Sequence, residues 1–216
     1  MTFAREAWPF TLPPTIVAMV LFAFGQSLWA SVFLAIAFLL LLFFRIPRVV
    51  SDADPNVVLA PAYGRITRID RVRDSDVGQA ELVRIVTFLS VFDVHVQRCP
   101  ISGRVERCRA RSGRNLAAFR DDAGDKNESQ LSLLRDPEGH LIAVRQVVGL
   151  LARRIVCYLE EGQPIRRGDS MGLIKFGSRV DLLVPSSYEI LVEPGQRVTA
   201  GKTPVARPGS IDAASS

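Results

Sequence analysis

The chain has 216 residues, of which 48% are hydrophobic and 23% charged, with a net charge of +5 and a mean hydropathy of +0.20. This length suits one compact domain, or one domain plus an appendage, and can bury a genuine core, and the apolar content excludes intrinsic disorder. Three cysteines, Cys99, Cys108 and Cys157, are too few and odd in number for a disulfide-stapled secreted scaffold, so reduced thiols in a cytosolic compartment are expected.

No charged residue occurs from Ala7 to Phe44. After Pro13-Pro14 the apolar stretch Thr15–Phe44 would be about 45 Å long as one helix, against a hydrocarbon core of about 30 Å. Gly25-Gln26-Ser27 divides it into a shorter and a longer half, so a helical hairpin dipping into one leaflet and a single tilted span both fit. A cleaved signal peptide fits poorly, because the stretch is too long and no small-residue cleavage site precedes Arg45. Arg45 and Arg48 follow the stretch, whereas Arg5 alone precedes it, which predicts residues beyond 48 on the cytoplasmic side. Residues 1–50 are therefore expected to form a membrane-associated hydrophobic segment and residues 51–216 a separate domain, opened by the turn-like Asp52-Ala-Asp-Pro55.

Beyond that turn the pattern is mainly β. Gly64–Val72 and Gly103–Cys108 mix single apolar residues with arginines. Leu82–Leu89 and Val144–Leu159 are rich in Val, Ile and Leu, the second interrupted at Gly149. Turn signals recur at Pro100, Ser112-Gly113, Asp136-Pro-Glu-Gly139, Gly162-Gln-Pro164 and Pro194-Gly195, and Asp121–Ser129 reads as a loop. The predicted fold class is mainly β (β-rich α+β), two packed sheets of short strands or a flattened barrel, behind an N-terminal helical segment. The residues after Pro208 are small and mostly polar and are expected to fray.

A pI near 9.6 admits anionic lipid or nucleic acid as a partner. The arginines are spread along the chain without zinc-finger spacing or an aromatic platform, and an apolar segment is attached, so lipid is favoured and no nucleic acid is expected. Two histidines supply a histidine-dependent zinc site poorly, and no metal is expected. His140 sits in a turn and reads as a solvated residue. His95 lies in Phe88-Leu-Ser-Val-Phe-Asp-Val-His-Val-Gln-Arg-Cys-Pro100, where strand alternation would put Asp93, His95 and Gln97 on one face. Gly177-Ser178 lies between two apolar runs and, read alone, is a hairpin turn. No hydrolase elbow, P-loop or dinucleotide glycine pattern occurs.

Five blocks nevertheless resemble the short bacterial and archaeal form of phosphatidylserine decarboxylase. They are Phe44-Arg-Ile-Pro47, Phe88 to Gly103, Asn127-Glu128, Gln146-Val-Val-Gly-Leu-Leu-Ala-Arg-Arg-Ile-Val-Cys-Tyr158 and Gly172-Leu-Ile-Lys-Phe-Gly-Ser-Arg-Val-Asp181. The resemblance implies a proenzyme that cuts itself between Gly177 and Ser178, leaving a pyruvoyl group derived from Ser178 as its covalent cofactor. That group condenses with the amine of phosphatidylserine and accepts electrons as CO₂ leaves, giving phosphatidylethanolamine. His95 matches the family's histidine and becomes the candidate general acid/base. The implied partners are the phosphatidylserine substrate, membrane lipid and, within the mature enzyme, the two self-cleaved chains as a heterodimer. The implied fold is a β-rich core whose C-terminal part, around Val192–Gly201, is similar to barrel-sandwich lipoyl carriers.

The chain departs from the family pattern in places. Pro61-Ala62-Tyr63-Gly64 stands where the family has Pro-Ala-Asp-Gly, and that aspartate supports histidine and serine during self-cleavage. Tyr63 cannot supply the charge, so self-cleavage is expected to be slower than in relatives with aspartate, or to be assisted by another carboxylate such as Asp93 or Asp181. Arg98, Lys175 and Ser129 occupy positions where other residues also occur in the family. A second reading follows from Tyr63: an unprocessed, catalytically silent membrane-bound relative that binds anionic lipid or a partner.

Overall fold

The computed structural model describes residues 2–113, 126–149, 154–175 and 178–209. The chain divides into two compact units, Met1–Arg48 and Val49–Ser216. Strand accounts for 43% and helix for 19%, in line with the mainly β expectation.

The first unit is a helical hairpin. Strand β1 (Thr2–Phe3) leads through a single 3₁₀ turn into α1 (Trp8–Ala23), which is followed by α2 (Ser27–Phe43) and β2 (Arg45–Ile46). The link between the helices is tight because Gly25 takes a positive φ of 75°, open to glycine without a Cβ penalty. Gln26 N–H reaches back to Leu21 O at 2.9 Å and Gly25 N–H to Phe22 O at 3.0 Å, which satisfies carbonyls at the end of α1. At the base, β1 pairs with β2 in antiparallel register, Thr2 with Ile46 and Phe3 with Arg45. The apolar segment thus folds as two packed helices and not as one continuous helix. One expectation fails here: α1 begins at Trp8 and runs through Pro13 and Pro14 rather than starting after them. Packing of α1 on α2 holds a helix that the two prolines would break if it stood alone.

Side-chain sizes in this hairpin are inverted relative to a water-soluble helix pair. The buried hydrophobic positions along the helices include Ala18, Ala30 and Ala37, while Trp8, Phe22, Phe24, Leu28, Trp29 and Phe38 are exposed. Small residues inside and large apolar ones outside are what helix packing in lipid favours. The segment Arg5–Ala23 is long and apolar enough to cross a membrane. At 1.5 Å per residue α1 and α2 measure about 24 and 26 Å.

The second unit is built from fourteen strands: β3 (Val58–Leu59), β4 (Gly64–Arg73), β5 (Glu81–Leu89), β6 (Val96–Arg98), β7 (Gly103–Arg111), β8 (Ser129–Arg135), β9 (Leu141–Val148), β10 (Ile155–Cys157), β11 (Pro164–Ile165), β12 (Ser170–Ile174), β13 (Ser178–Pro185), β14 (Tyr188–Ile190), β15 (Arg197–Val198) and β16 (Pro204–Pro208). Eight of them form one antiparallel sheet in the order β11-β7-β8-β9-β13-β5-β4-β15, and two three-stranded sheets, β10-β12-β6 and β14-β16-β3, accompany it. Alternation along β13 sorts its side chains. Val180, Leu182 and Val184 enter the main core with Val83, Ile85, Val144, Val148, Met171 and Ile174. Leu183 joins a smaller cluster on the other face with Leu82, Leu131, Leu133 and Ala143. Ser129 belongs to β8 rather than to the expected loop. Residues 121–125 of that loop lie outside the described residues, as do residues 210–216 of the tail expected to fray.

Candidate active site

Strand β12 ends at Ile174 and β13 begins at Ser178. The two strands belong to different sheets, and β13 is an interior strand paired with β5 on one side and β9 on the other. The chain thus crosses between sheets here instead of turning back as a hairpin. Gly177 lies outside the described residues. Ser178 shares its face with Val180 and Leu182, opposite Leu89 of β5 and Val148 of β9. It is fully buried, and its Oγ has no hydrogen-bond partner among the described residues.

His95 lies beside this crossing. The Ile174 N–H donates to His95 O at 3.3 Å, and Leu173 pairs with Val96, so His95 flanks the end of the strand from which the chain passes to Ser178. The imidazole is buried with Nδ1 2.8 Å from the backbone carbonyl of Asp93. A carbonyl only accepts, so Nδ1 carries the proton, and it is Nε2 that holds the lone pair when the ring is uncharged. The structure corrects the alternation argument at this point, because β6 begins only at Val96 and residues 91–93 form a turn. The Asp93 carboxylate accepts from Ser90 N–H and Oγ at 2.9 Å each and from Arg197 Nη2 at 2.6 Å. Asp93 therefore meets the His95 ring through its carbonyl oxygen, while its carboxylate is held by Ser90 and Arg197.

A buried amide chain supports the histidine. Gln97 Nε2 donates to His95 O at 2.8 Å, and Gln146 Nε2 donates to Gln97 Oε1 at 2.7 Å. Both glutamines are fully buried. Gln146 pairs with Val180, on the same face of the sheet as Ser178, and its Oε1 has no hydrogen-bond partner among the described residues. Gly172 makes room for this amide: a Cβ there would stand 2.8 Å from Gln146 Nε2 and 2.6 Å from Val156 O. Asn127 is tied in as well, donating through Nδ2 to Val148 O at 2.8 Å, and Val148 is the residue paired with Ser178. Sequence reasoning put Gln97 on the histidine face but gave Gln146 no role. The available signal is a glutamine at the parity of Val144 and Val148, two apolar core positions on the same strand.

The remaining candidates are placed as follows. Tyr63 immediately precedes β4, its hydroxyl is buried, and Pro61 O accepts from Arg98 N–H at 2.8 Å, which joins this turn to β6. Gly64 follows because a Cβ there would meet Phe88 O at 2.1 Å. Asp181 lies three residues from Ser178 and so on the opposite face of β13. Its carboxylate is gripped by Arg179 at 2.6 and 2.8 Å, so it is not a carboxylate available to Ser178. Arg98 donates to Gly168 O and Ser170 Oγ, each at 3.1 Å. Lys175 N–H donates to Arg154 O at 3.2 Å.

Two thiols flank the same row. Cys157 pairs with Gly172, and Gly172 with Gln97. The Cys108 thiol lies within hydrogen-bonding reach of Cys157, which lowers the Cys157 pKa to about 6 and raises that of Cys108. Cys99 is pushed up to about 12 by burial. A cavity of about 620 Å³ opens at the far end of the large sheet, lined among others by Asp54, Ile101, His140, Arg167 and Tyr188. His140 is exposed there, with Nδ1 2.9 Å from Asp136 Oδ2. This cavity is remote from Ser178 and takes no part in the site.

Comparison with known proteins gives this arrangement a class. The family model of phosphatidylserine decarboxylase matches residues 36–206. The phosphatidylserine decarboxylase proenzyme of Saccharopolyspora erythraea is 43% identical over 167 residues, 76% of this chain and 71% of the relative. Those of Burkholderia cenocepacia and Burkholderia orbicola are each 36% identical over 200 residues, 93% of both chains. The β-rich domain is thus that of a pyruvoyl-dependent decarboxylase, an enzyme of phospholipid biosynthesis. The chain belongs to the phosphatidylserine decarboxylase family. The comparisons give no support to the silent-relative reading.

Proposed function

We propose that the chain cuts itself between Gly177 and Ser178 and then decarboxylates phosphatidylserine to phosphatidylethanolamine at a membrane. The observation that carries this reading is the fully buried Ser178 hydroxyl without a hydrogen-bond partner among the described residues. An unsatisfied buried hydroxyl costs about 1–3 kcal/mol, and such groups persist where reactivity uses them.

In the precursor, Ser178 Oγ adds to the Gly177 carbonyl carbon and the peptide nitrogen departs as an amine, so an ester replaces the amide. Loss of the Ser178 α-proton then breaks the Cβ–Oγ bond, releasing Gly177 as a carboxylate and leaving dehydroalanine. Water replaces its nitrogen, which leaves as ammonia, and residue 178 becomes a pyruvoyl group. Position 178 suits that group, since its cross-strand neighbours Leu89 and Val148 are fully buried and apolar and limit the access of competing water. When present, the pyruvoyl carbonyl supplies an acceptor for the electron pair freed as CO₂ leaves. His95, with its tautomer set by Asp93 O, offers Nε2 to accept a proton during elimination and, once protonated, to return one to the substrate carbon. Gln97 and Gln146 hold the backbone beneath the imidazole.

In this reading the hairpin unit is the membrane anchor, residues beyond 48 lie on the cytoplasmic side, and the mature enzyme is a heterodimer of Met1–Gly177 and the chain from 178 to Ser216. Intact mass of the purified protein tests the cut. Two chains are expected, the smaller reacting with carbonyl reagents, while Ser178→Ala stays whole and inactive. A wild-type protein that remains a single chain overturns the proposal.

A further inference from the structure

The turn between β5 and β6 presents an unusual surface. Phe92 is 86% exposed and Val91 41%, and among the described residues from Val49 onward Val50 is the other large exposed hydrophobic. The turn is not slack. Asp93 N–H donates to Ser90 O at 3.0 Å, and the Asp93 carboxylate holds both Ser90 N–H and Ser90 Oγ. Phe92 is therefore held outward by a braced backbone.

The position of the turn matters as much as its composition. It leaves β5 at Leu89, the residue paired with Ser178, and returns at His95. A basic edge adjoins it. Arg197, bonded to Asp93 at 2.6 Å, stands directly opposite Arg65 in the β15–β4 ladder. Both arginines are exposed, and Arg65 donates to Gly195 O at 2.6 Å with no carboxylate partner among the described residues. Arg197 has Asp93 as its counter-charge, whereas Arg65 across the ladder has none among the described residues, and an anionic ligand on the outside supplies it.

We propose that the Val91-Phe92 turn, flanked by Arg65 and Arg197, enters the surface of an anionic phospholipid bilayer and so brings the Ser178 end of the domain to the lipid headgroups. An apolar tip with cationic flanks matches the acyl boundary beneath a layer of negative charge. The bracing of the turn means that little ordering entropy opposes insertion. This contact is separate from the hairpin anchor and serves a different end: it places the catalytic end of the domain where a lipid substrate need not leave its leaflet. The proposal rests on the lipid decarboxylase reading.

The test uses the full chain carrying Phe92→Trp with Trp8→Phe and Trp29→Phe, so that residue 92 is the sole tryptophan. Vesicles of phosphatidylcholine with phosphatidylglycerol supply negative charge without a serine headgroup. The expected result is blue-shifted emission that lipids brominated along the acyl chain quench, weaker on phosphatidylcholine alone. Water-like, unquenched emission overturns the insertion, and equal insertion on neutral vesicles overturns the role of the arginines. A kinetic arm uses Phe92→Ser. Losing one inserted aromatic raises KM for phosphatidylserine in vesicles about tenfold, with kcat, and with turnover of a short-chain phosphatidylserine dissolved as monomers, unchanged. Equal loss on both substrates assigns Phe92 a structural role and overturns the proposal. If the wild-type chain fails to turn over phosphatidylserine, the decarboxylase reading falls, while the fluorescence still decides insertion.

Discussion

Gln146 donates a 2.7 Å hydrogen bond to Gln97 in the closed interior of the domain, and Gln97 passes that constraint on to the backbone carbonyl of His95. The bond joins the large sheet, through β9, to the small sheet that carries β6, so the alignment of the two sheets and the placement of the histidine are one and the same constraint.

Gln146→Leu keeps the side-chain volume and removes the donor. Gln97 Oε1 then stays buried without a partner, which costs about 1–3 kcal/mol. Urea denaturation should show this loss, and kcat should fall more than KM rises. The double variant Gln97→Leu with Gln146→Leu should recover part of the stability, because no orphaned amide remains. Strictly additive losses would show that the two residues act independently.

His95→Ala is expected to lower kcat about 10²-fold or more, the usual contribution of a positioned proton-transfer group. The assay requires protein already converted to two chains, so that a processing defect does not masquerade as a catalytic one. Near-normal turnover of converted protein would reduce His95 to a structural residue.

Removing Asp181 leaves Arg179 buried and unpaired. Asp181→Ala should therefore destabilise the domain by about 3–5 kcal/mol, read from the denaturant midpoint. At temperatures where the variant remains folded, self-cleavage should proceed at the wild-type rate, because Asp181 and Ser178 occupy opposite faces of β13. Arrested cleavage in a fully stable variant would return Asp181 to the site.

Cys157 should be the most reactive thiol. The neighbouring Cys108 thiol lowers its pKa to about 6, whereas burial raises Cys99 to about 12. Thiolate is the nucleophile, so alkylation of Cys157 by iodoacetamide should be near its plateau at pH 7 and slow as the pH falls through about 6. Peptide mapping after brief alkylation should find the label on Cys157 and not on Cys99. Cys108→Ala removes the neighbouring thiol and should move the midpoint upward. An unchanged midpoint would show that Cys108 does not tune Cys157.

Much of this architecture can be read from the residues. Leu82–Leu89 is a strand because its β-branched and apolar side chains are buried on both faces, and Gly25 divides the apolar segment because α1 needs a left-handed exit. Two misreadings have physical causes. Strand alternation fails at Asp93, where the chain turns, because a carboxylate that caps Ser90 looks the same in sequence as one that faces a histidine. Asp181 is not placed to help Ser178, because an odd separation along a strand puts two residues on opposite faces, a parity legible in the sequence. The prolines of α1 were not legible in the same sense, since the packing that overrides them comes from α2.

The interior position of β13 has a consequence for the fate of a nicked chain. A break just before Ser178 would leave that strand clamped by eight register pairs to β5 and six to β9, while β16 remains paired with β3. The fragment beginning at 178 is woven into the protein like a thread in cloth. It should co-elute with the larger piece through any native separation and come free only under denaturing conditions, and a freshly added copy of the fragment should not exchange into a finished molecule.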